Sequence, residues 1–441
     1  MKNFTLLSAF LFCILLQSQG QWSYTELSAP RKDMGSASLN SKAYFAGGNN
    51  GLNSVNTVEV YDVSTETWET IGNLSVAREV ITGVTCGNKI YFAGGMDWTA
   101  SYSTVDIYNA ATQQWTVAQL STHRFSMASV SHGSKVLFAG GLQLFGAYKN
   151  IVDIYDTLTG IWTTANLVLA REGIAATVVG DLAIFAGGFN YGGATDLVDI
   201  YNFTTDTWTT ANLSEARSHA SATTVGTKAI IAGGITSINN PTDRVDVYDA
   251  STGIWTTASL SAPRASQGNA ATVNGKAWFA GGGVFMGQGY VSPSDVVDIY
   301  DADSNIWSTD HLLEPIMSHS VLGIGNRLIV AGGKNSDGII VSLVEIFYDP
   351  AVGINSKTKE ETFFTVYPNP GNGKFYLEMS KENPQTIFTA TIRNLQGQVV
   401  FAQLLEPGFR EINVTLPSGV YMLNLNSGIR SQNKLITIRK Q

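Results

Sequence analysis

Six arginines recur at a nearly constant step: Arg31, Arg78, Arg124, Arg171, Arg217 and Arg264. Each follows a tryptophan by nine or ten residues. An acid recurs later in every period, at Glu59, Asp106, Asp153, Asp199, Asp246, Asp298 and Glu345. Two chemistries fit this pairing: a ring of guanidinium groups lining an anion site, or one internal Arg–carboxylate or Arg–carbonyl link per period. A binding site is normally asymmetric, whereas a link that each unit needs is repeated. The expectation is therefore structural, because buried charges need such partners. The seventh period has Ile316-Met317 where the arginine would stand. A second group is aromatic and sits in otherwise hydrophilic stretches: Trp98, Tyr102, Phe145, Tyr148, Phe189, Tyr191, Phe285 and Tyr290. Such rings can stack on sugars or anchor a protein partner, and they can also fold back over their own loops.

Other reactive residues carry less. His123, His132, His219, His311 and His319 show no paired-ligand spacing on one strand. Asp301, Asp303 and Asn305 faintly resemble a calcium loop, but the equivalent turns YDASTGIW and YDTLTGIW lack those oxygens, so an Asx-type turn is expected. Cys86, in the small-residue run ITGVTC, reads as a buried half-hydrophobic thiol. No catalytic group, metal or cofactor is assigned.

The elements that must position these residues are short strands. The stretch VDIYDTLTGIWTTANLVLAREGIAATVVGDLAIFAGG at 152–188 recurs with substitutions up to about residue 350. Double glycines fall at Gly47-Gly48, Gly94-Gly95, Gly140-Gly141, Gly187-Gly188, Gly233-Gly234, Gly281-Gly282 and Gly332-Gly333, 46 to 51 residues apart. Tryptophans keep step at Trp22, Trp68, Trp115, Trp162, Trp208, Trp255 and Trp307. A period of this size made of strands points to a radial β-propeller. Trp22 precedes the first double glycine and no tryptophan follows the last, so the N-terminal strand is expected to complete the final blade, giving seven four-stranded blades. Closure would hide the sheet edges.

The strand ending in Gly-Gly, the Tyr about fourteen residues on (Tyr61, Tyr108, Tyr155, Tyr201, Tyr248, Tyr300) and the Trp after it resemble the kelch repeat. The resemblance implies a propeller whose longer loops share one end, among them NNGLNSVNT, MDWTASYST, LQLFGAYKN and FNYGGATDL. Recognition usually sits on such loops. By resemblance to kelch propellers that bind peptides, the residues two beyond each arginine position approach the channel mouth: Asp33, Val80, Ser126, Gly173, His219, Ser266 and His319. The reading is a binding protein for a glycan or protein. The competing reading is a carbohydrate-active enzyme on the same face, an epimerase, lyase or galactose oxidase-like protein. The Tyr-His dipeptide of the galactose oxidase-like copper site is absent.

The net charge of −8, without a basic run, argues against nucleic acid or anionic lipid as partner. Residues 1–20 read as a signal peptide, from Lys2, the apolar run Leu6 to Leu16, and Ser18-Gln19-Gly20. No later stretch is long and apolar enough to span a membrane. Residues 21–350 form the expected propeller, 351–362 a polar linker, and 363–441 a small Ig-like β-sandwich. In that tail, Tyr367-Pro368-Asn369-Pro370, Asn394 to Val400, Leu416 to Tyr421 and the basic end Lys434 to Lys440 resemble the sorting domain of type IX secretion. The resemblance implies export through that machinery to the exterior of a Gram-negative outer membrane, secreted or cell-surface.

Overall fold

The structure is a computed structural model that describes residues 21–237, 240–265, 268, 270–285, 291–349, 364–369, 371–379, 388–394, 399–406, 411–426 and 431–439. The expected signal peptide and linker lie outside these residues. Among the described residues there are strands and turns and no helix. The chain divides into two units, Met1–Val352 and Gly353–Gln441.

The first unit is built mainly of four-stranded antiparallel sheets, one of them extended to six strands, with two short hairpins beside them. One four-stranded sheet holds Ala175–Val179, Leu182–Ala186, Leu197–Asn202 and Thr207–Asn212 in chain order. The second strand of each sheet, such as Leu182–Ala186, is buried on both faces, as its unbroken apolar run requires. The first strand is rich in Ser, Thr, Ala and Gly because neighbouring sheets meet there. The Thr85 hydroxyl donates to Ser38 O at 2.9 Å, and Thr272 donates to Thr224 O at 2.6 Å. A Cβ on Gly323 would sit 2.4 Å from Thr272 O.

The arginine series fastens every sheet of this repeat but the last. All six guanidinium groups are buried and lie against the acid of their own sheet. Arg78, Arg124, Arg171, Arg217 and Arg264 reach Asp106, Asp153, Asp199, Asp246 and Asp298 at 2.6 to 2.8 Å, and Arg31 pairs with Glu59. Backbone carbonyls take further N–H groups, for example Phe138 O and Gly140 O from Arg124. The other oxygen of each acid accepts a backbone N–H from the link entering the sheet, Ser75 for Asp106 and Ser214 for Asp246, both at 3.0 Å. Desolvation lowers the pKa of Arg78 and Arg124 while the carboxylates oppose it.

The same arginines join one sheet to the next through their backbone. The N–H groups of Gly48, Gly95, Gly141, Gly188 and Gly234 donate to the carbonyls of Arg78, Arg124, Arg171, Arg217 and Arg264. Gly282 donates to Ile316 O, and Gly333 donates back to Arg31 O, joining the last sheet to the first. Each preceding glycine has a left-handed φ, 64° at Gly187, and a Cβ there would fall 2.3 Å from Arg217 O. Only glycine tolerates both conditions.

The last sheet is Ser320–Ile324, Arg327–Ala331 and Leu343–Tyr348, with the N-terminal strand Gln21–Glu26 outermost. Trp22 pairs with Phe347, ring centroids 5.0 Å apart, where other sheets pair Trp with Tyr at 4.8 to 5.1 Å. Trp22 is half-buried and its Nε1 donates to Asp310 at 3.2 Å. Full burial, the natural expectation for this ring, is not what the outermost strand provides.

The second unit packs two sheets on one core. Phe364–Tyr367, Lys374–Met379 and Glu411–Asn413 form one sheet. Val399–Leu405, Phe388–Arg393, Gly419–Asn426 and Ser431–Ile438 form the other. Phe375 and Ile412 meet Ile392, Leu423 and Ile436 between them. Asn369 Oδ1 accepts the Thr437 N–H at 2.8 Å, tying the Tyr-Pro-Asn turn to the final strand. The Tyr421 hydroxyl donates back to Pro417 O at 2.9 Å.

Two measurements probe the closing sheet. Trp22→Ala is expected to cost about 2 kcal/mol, less than for a fully buried ring, and an unchanged denaturation midpoint would show that Gln21–Glu26 does not hold this sheet. The second concerns Glu345, whose sheet has Ile316 in the arginine position. Glu345 is buried; Oε2 accepts the Leu313 N–H at 2.8 Å and Oε1 has no partner among the described residues. Burial pushes this carboxyl from its ordinary value near 4.5 up to about 7. The folded protein thus keeps a proton that the unfolded chain has released. Stability from this group is complete below about 4.5 and is lost as pH rises through about 7. Relative to Glu345→Gln, the native protein should lose on the order of 3 kcal/mol between these limits. His319, pulled by burial to about 4, titrates in the opposite sense but is common to both proteins and leaves the difference unchanged. A pH-independent difference between the two proteins would overturn this account.

Candidate functional site

The first strands surround a cavity of about 580 Å³, lined by small and apolar side chains interspersed with polar ones such as Asp33, Thr82, His219 and Ser320. At its edge the chain turns through left-handed residues: Asp33, Val80, Ser126, Gly173, His219 and Ser318, with φ between 53° and 62°. A β-branched residue such as Val80 rarely adopts this conformation. Neighbouring turns hold it in place: Val80 N–H donates to Asp33 O and Asp33 N–H to Ser318 O. The seventh position is thus Ser318 and not His319, because Ile316, whose carbonyl meets Gly282, occupies the arginine position. His319 is buried, with Nε2 3.0 Å from Ala280 O. Ser266 lies outside the described residues.

The expected binding aromatics separate into three kinds. Trp98, Phe145 and Tyr191 are exposed, at 70%, 92% and 81%. Tyr148 and Phe189 are half-buried and join Tyr191 in a cluster: Tyr148 meets Tyr191 at 4.8 Å and 78°, and Phe189 at 6.4 Å and 65°. Tyr102 serves its own loop, its hydroxyl donating to Asp97 at 2.6 Å, an interaction that pushes its pKa up to about 12. Phe285 ends the short strand Gly283–Phe285, and Tyr290 lies outside the described residues.

Sequence reasoning missed Glu172. This residue follows Arg171, and its backbone pairs with Phe189. Its carboxylate accepts the Ser126 hydroxyl at 2.5 Å and lies 3.6 Å from His219 Nε2. His219 in turn lies 3.1 Å from Ser218 Oγ through Nδ1. The His219 ring covers Gly173, where a Cβ would come within 2.8 Å of it. A signal existed: the residue after the arginine position reads Lys32, Glu79, Phe125, Glu172, Ser218, Ala265 and Met317, so this place beside a repeated arginine is not itself repeated.

The remaining histidines are dispersed. His123 meets Ser101 and Gln143, His132 meets Asp181, and His311 meets Asp295. Among the described residues no three His, Cys, Asp or Glu side chains gather as a metal ion would need. Asp301 accepts the N–H groups of Asp303 and Ser304 at 3.0 Å, an Asx turn that Asp62 and Asp249 repeat. Cys86 is buried, and burial pushes its thiol up.

Family comparison agrees with this architecture. The KLHDC2/KLHL20/DRC7 Kelch-repeats domain matches residues 125–333, and the Kelch motif matches 30–75 and 81–119. The Secretion system C-terminal sorting domain matches 365–439. No curated protein matches the chain. Among matching solved structures is one titled "Structure of YjhT", 17% identical with a TM-score of 0.48, covering 72% of this chain and 94% of that one. No described helix is long and apolar enough to cross a membrane. The chain thus carries kelch repeat domains followed by a sorting domain of the type IX secretion system.

Proposed function

We propose that the protein is a secreted or surface-displayed interaction module. In this reading, 1–20 is a signal peptide, 21–350 a seven-bladed propeller, 351–362 a linker, and 363–441 an Ig-like sorting domain. The loop end of the propeller recognises a protein or glycan. The observation that carries the reading is the contrast between two layers of the same repeat. The arginine–acid links recur in sheet after sheet, while the loops around the cavity edge differ and hold Trp98, Phe145 and Tyr191 in solvent. Large rings exposed on a rigid scaffold support recognition, because loop packing alone would bury them.

Screening the chain 21–441 against protein and glycan arrays tests this. For the partner found, Trp98→Ala or Tyr191→Ala should weaken binding at least fivefold, while stability stays within about 0.5 kcal/mol, as for other surface changes. Equal loss of binding and stability would make these rings packing residues. Routing is tested separately. Deleting 363–441 should leave a folded propeller that accumulates in the periplasm of a host with type IX secretion. A truncated protein that still reaches the exterior would remove the sorting role of this unit.

A further inference from the structure

We propose that Tyr148, Phe189 and Tyr191, together with Glu172, form a site for a cationic side chain, an arginine or lysine displayed by a protein partner. The inference rests on the interaction reading above and names the chemistry of one part of that surface. Tyr148 stands at 78° to Tyr191 and at 65° to Phe189, so the rings form a corner rather than a flat stack. A corner presents ring faces to one volume, and a cation over a ring face is attracted to its electron density. Tyr191 is held in place although exposed: Tyr148 packs against it and its hydroxyl donates to Gly146 O at 3.4 Å.

The carboxylate supplies the charge. Glu172 reaches the cluster through its backbone bridge to Phe189. It is close enough to Tyr148 to add to burial in raising that phenol's pKa. Among the described residues, both contacts of its carboxylate, from Ser126 and from His219, fall on Oε2. Oε1 therefore remains for a donor that a ligand brings. Lys149, which follows Tyr148, forms no ion pair with Glu172 among the described residues. Of the acids on the equivalent turns of other sheets, Asp33 pairs with Lys32, and Glu79 is buried. Around the ring, the position of Phe189 is taken by Asn49, Met96, Leu142, Ile235, Gly283 and Lys334, so an acid and an aromatic ring face each other across this bridge alone. A guanidinium suits the arrangement best, since it stacks on aromatic faces and donates to a carboxylate at once.

The test uses the chain 21–441 and an acetylated, amidated Gly-Gly-Arg-Gly-Gly peptide, titrated calorimetrically at low salt. The controls are the same peptide with citrulline, the neutral isostere, and the native protein with added salt. The arginine peptide should bind and the citrulline peptide should not. Glu172→Gln should weaken binding about tenfold, the loss of a charge-assisted contact. Tyr191→Leu, at an exposed position, should weaken it roughly fivefold and serves as the second variant should Glu172→Gln disturb Ser126 and His219. Absence of binding by the arginine peptide, equal binding of the citrulline peptide, or unchanged affinity in both variants would overturn the proposal. If an array-selected partner binds and tolerates Glu172→Gln, the cation site falls while the interaction reading stands.

Discussion

The first unit depends on a buried arginine that serves two sheets, its own through the guanidinium and the preceding one through its backbone. The side chain of Arg124 joins the Asp153 carboxylate and the carbonyls of Phe138 and Gly140 within its own sheet. Its backbone carbonyl accepts the Gly95 N–H of the sheet before. Carrying such a charge out of water is costly, and the ion pair alone does not repay the cost. Backbone carbonyls taking further donors, from every guanidinium nitrogen of Arg124 and Arg171, offset that cost, although Nε of Arg31, Arg78, Arg217 and Arg264 has no partner among the described residues. Removing one partner would leave an unpaired buried charge, which is far more damaging than replacing the pair by apolar side chains. The link is therefore better understood as a device for register than as a source of net stability. It fixes where the incoming chain crosses onto each sheet.

The last sheet shows what happens when that device is only half present. Ile316 keeps the backbone role, accepting the Gly282 N–H, but brings no guanidinium. Glu345 retains the acid's role toward the incoming link through Leu313 and is left without a cation. This is also the sheet completed by strands from opposite ends of the unit, with Trp22 set against Phe347. Its integrity therefore rests more on strand pairing and aromatic contact than that of its neighbours.

Much of this was legible in the sequence because repetition separates scaffold from everything else. Glycine at a left-handed position facing a carbonyl, Trp across from Tyr, and Arg against an acid are each forced by local geometry, so their spacing announces them. The Ser318 position was misread as His319, because with no arginine to mark the count the register had to be taken from Ile316-Met317, and an offset of one residue cannot be seen without the Gly282 bond. Tyr102 was grouped with the exposed rings because its Asp97 partner is a neighbour within the loop, which spacing does not distinguish from an open ring. Glu172 went unnoticed because a single acid beside a repeated arginine looks like ordinary variation until Ser126 and His219, both from other sheets, are seen to converge on it.

That convergence bears on how a repeat scaffold acquires function. Among the described residues, six sheets supply an equivalent left-handed turn at the cavity edge, so the backbone there is nearly symmetric. Symmetry alone cannot favour one orientation of a partner. Specificity has to come from positions where side chains differ while the backbone does not, and the residue following each arginine position meets that condition. It is held next to the arginine link and by a backbone bridge that recurs from sheet to sheet, yet its side chain is not repeated. A change there alters the surface without loosening the link, because the guanidinium, the acid and the glycine carry the fold independently of it. The cluster around Glu172 is built at such a position, with its rings on the adjoining loops. Rigidity beneath and freedom to vary above are properties of adjacent residues in the same turn, and this is the physical reason a recognition surface can change while the propeller under it stays the same.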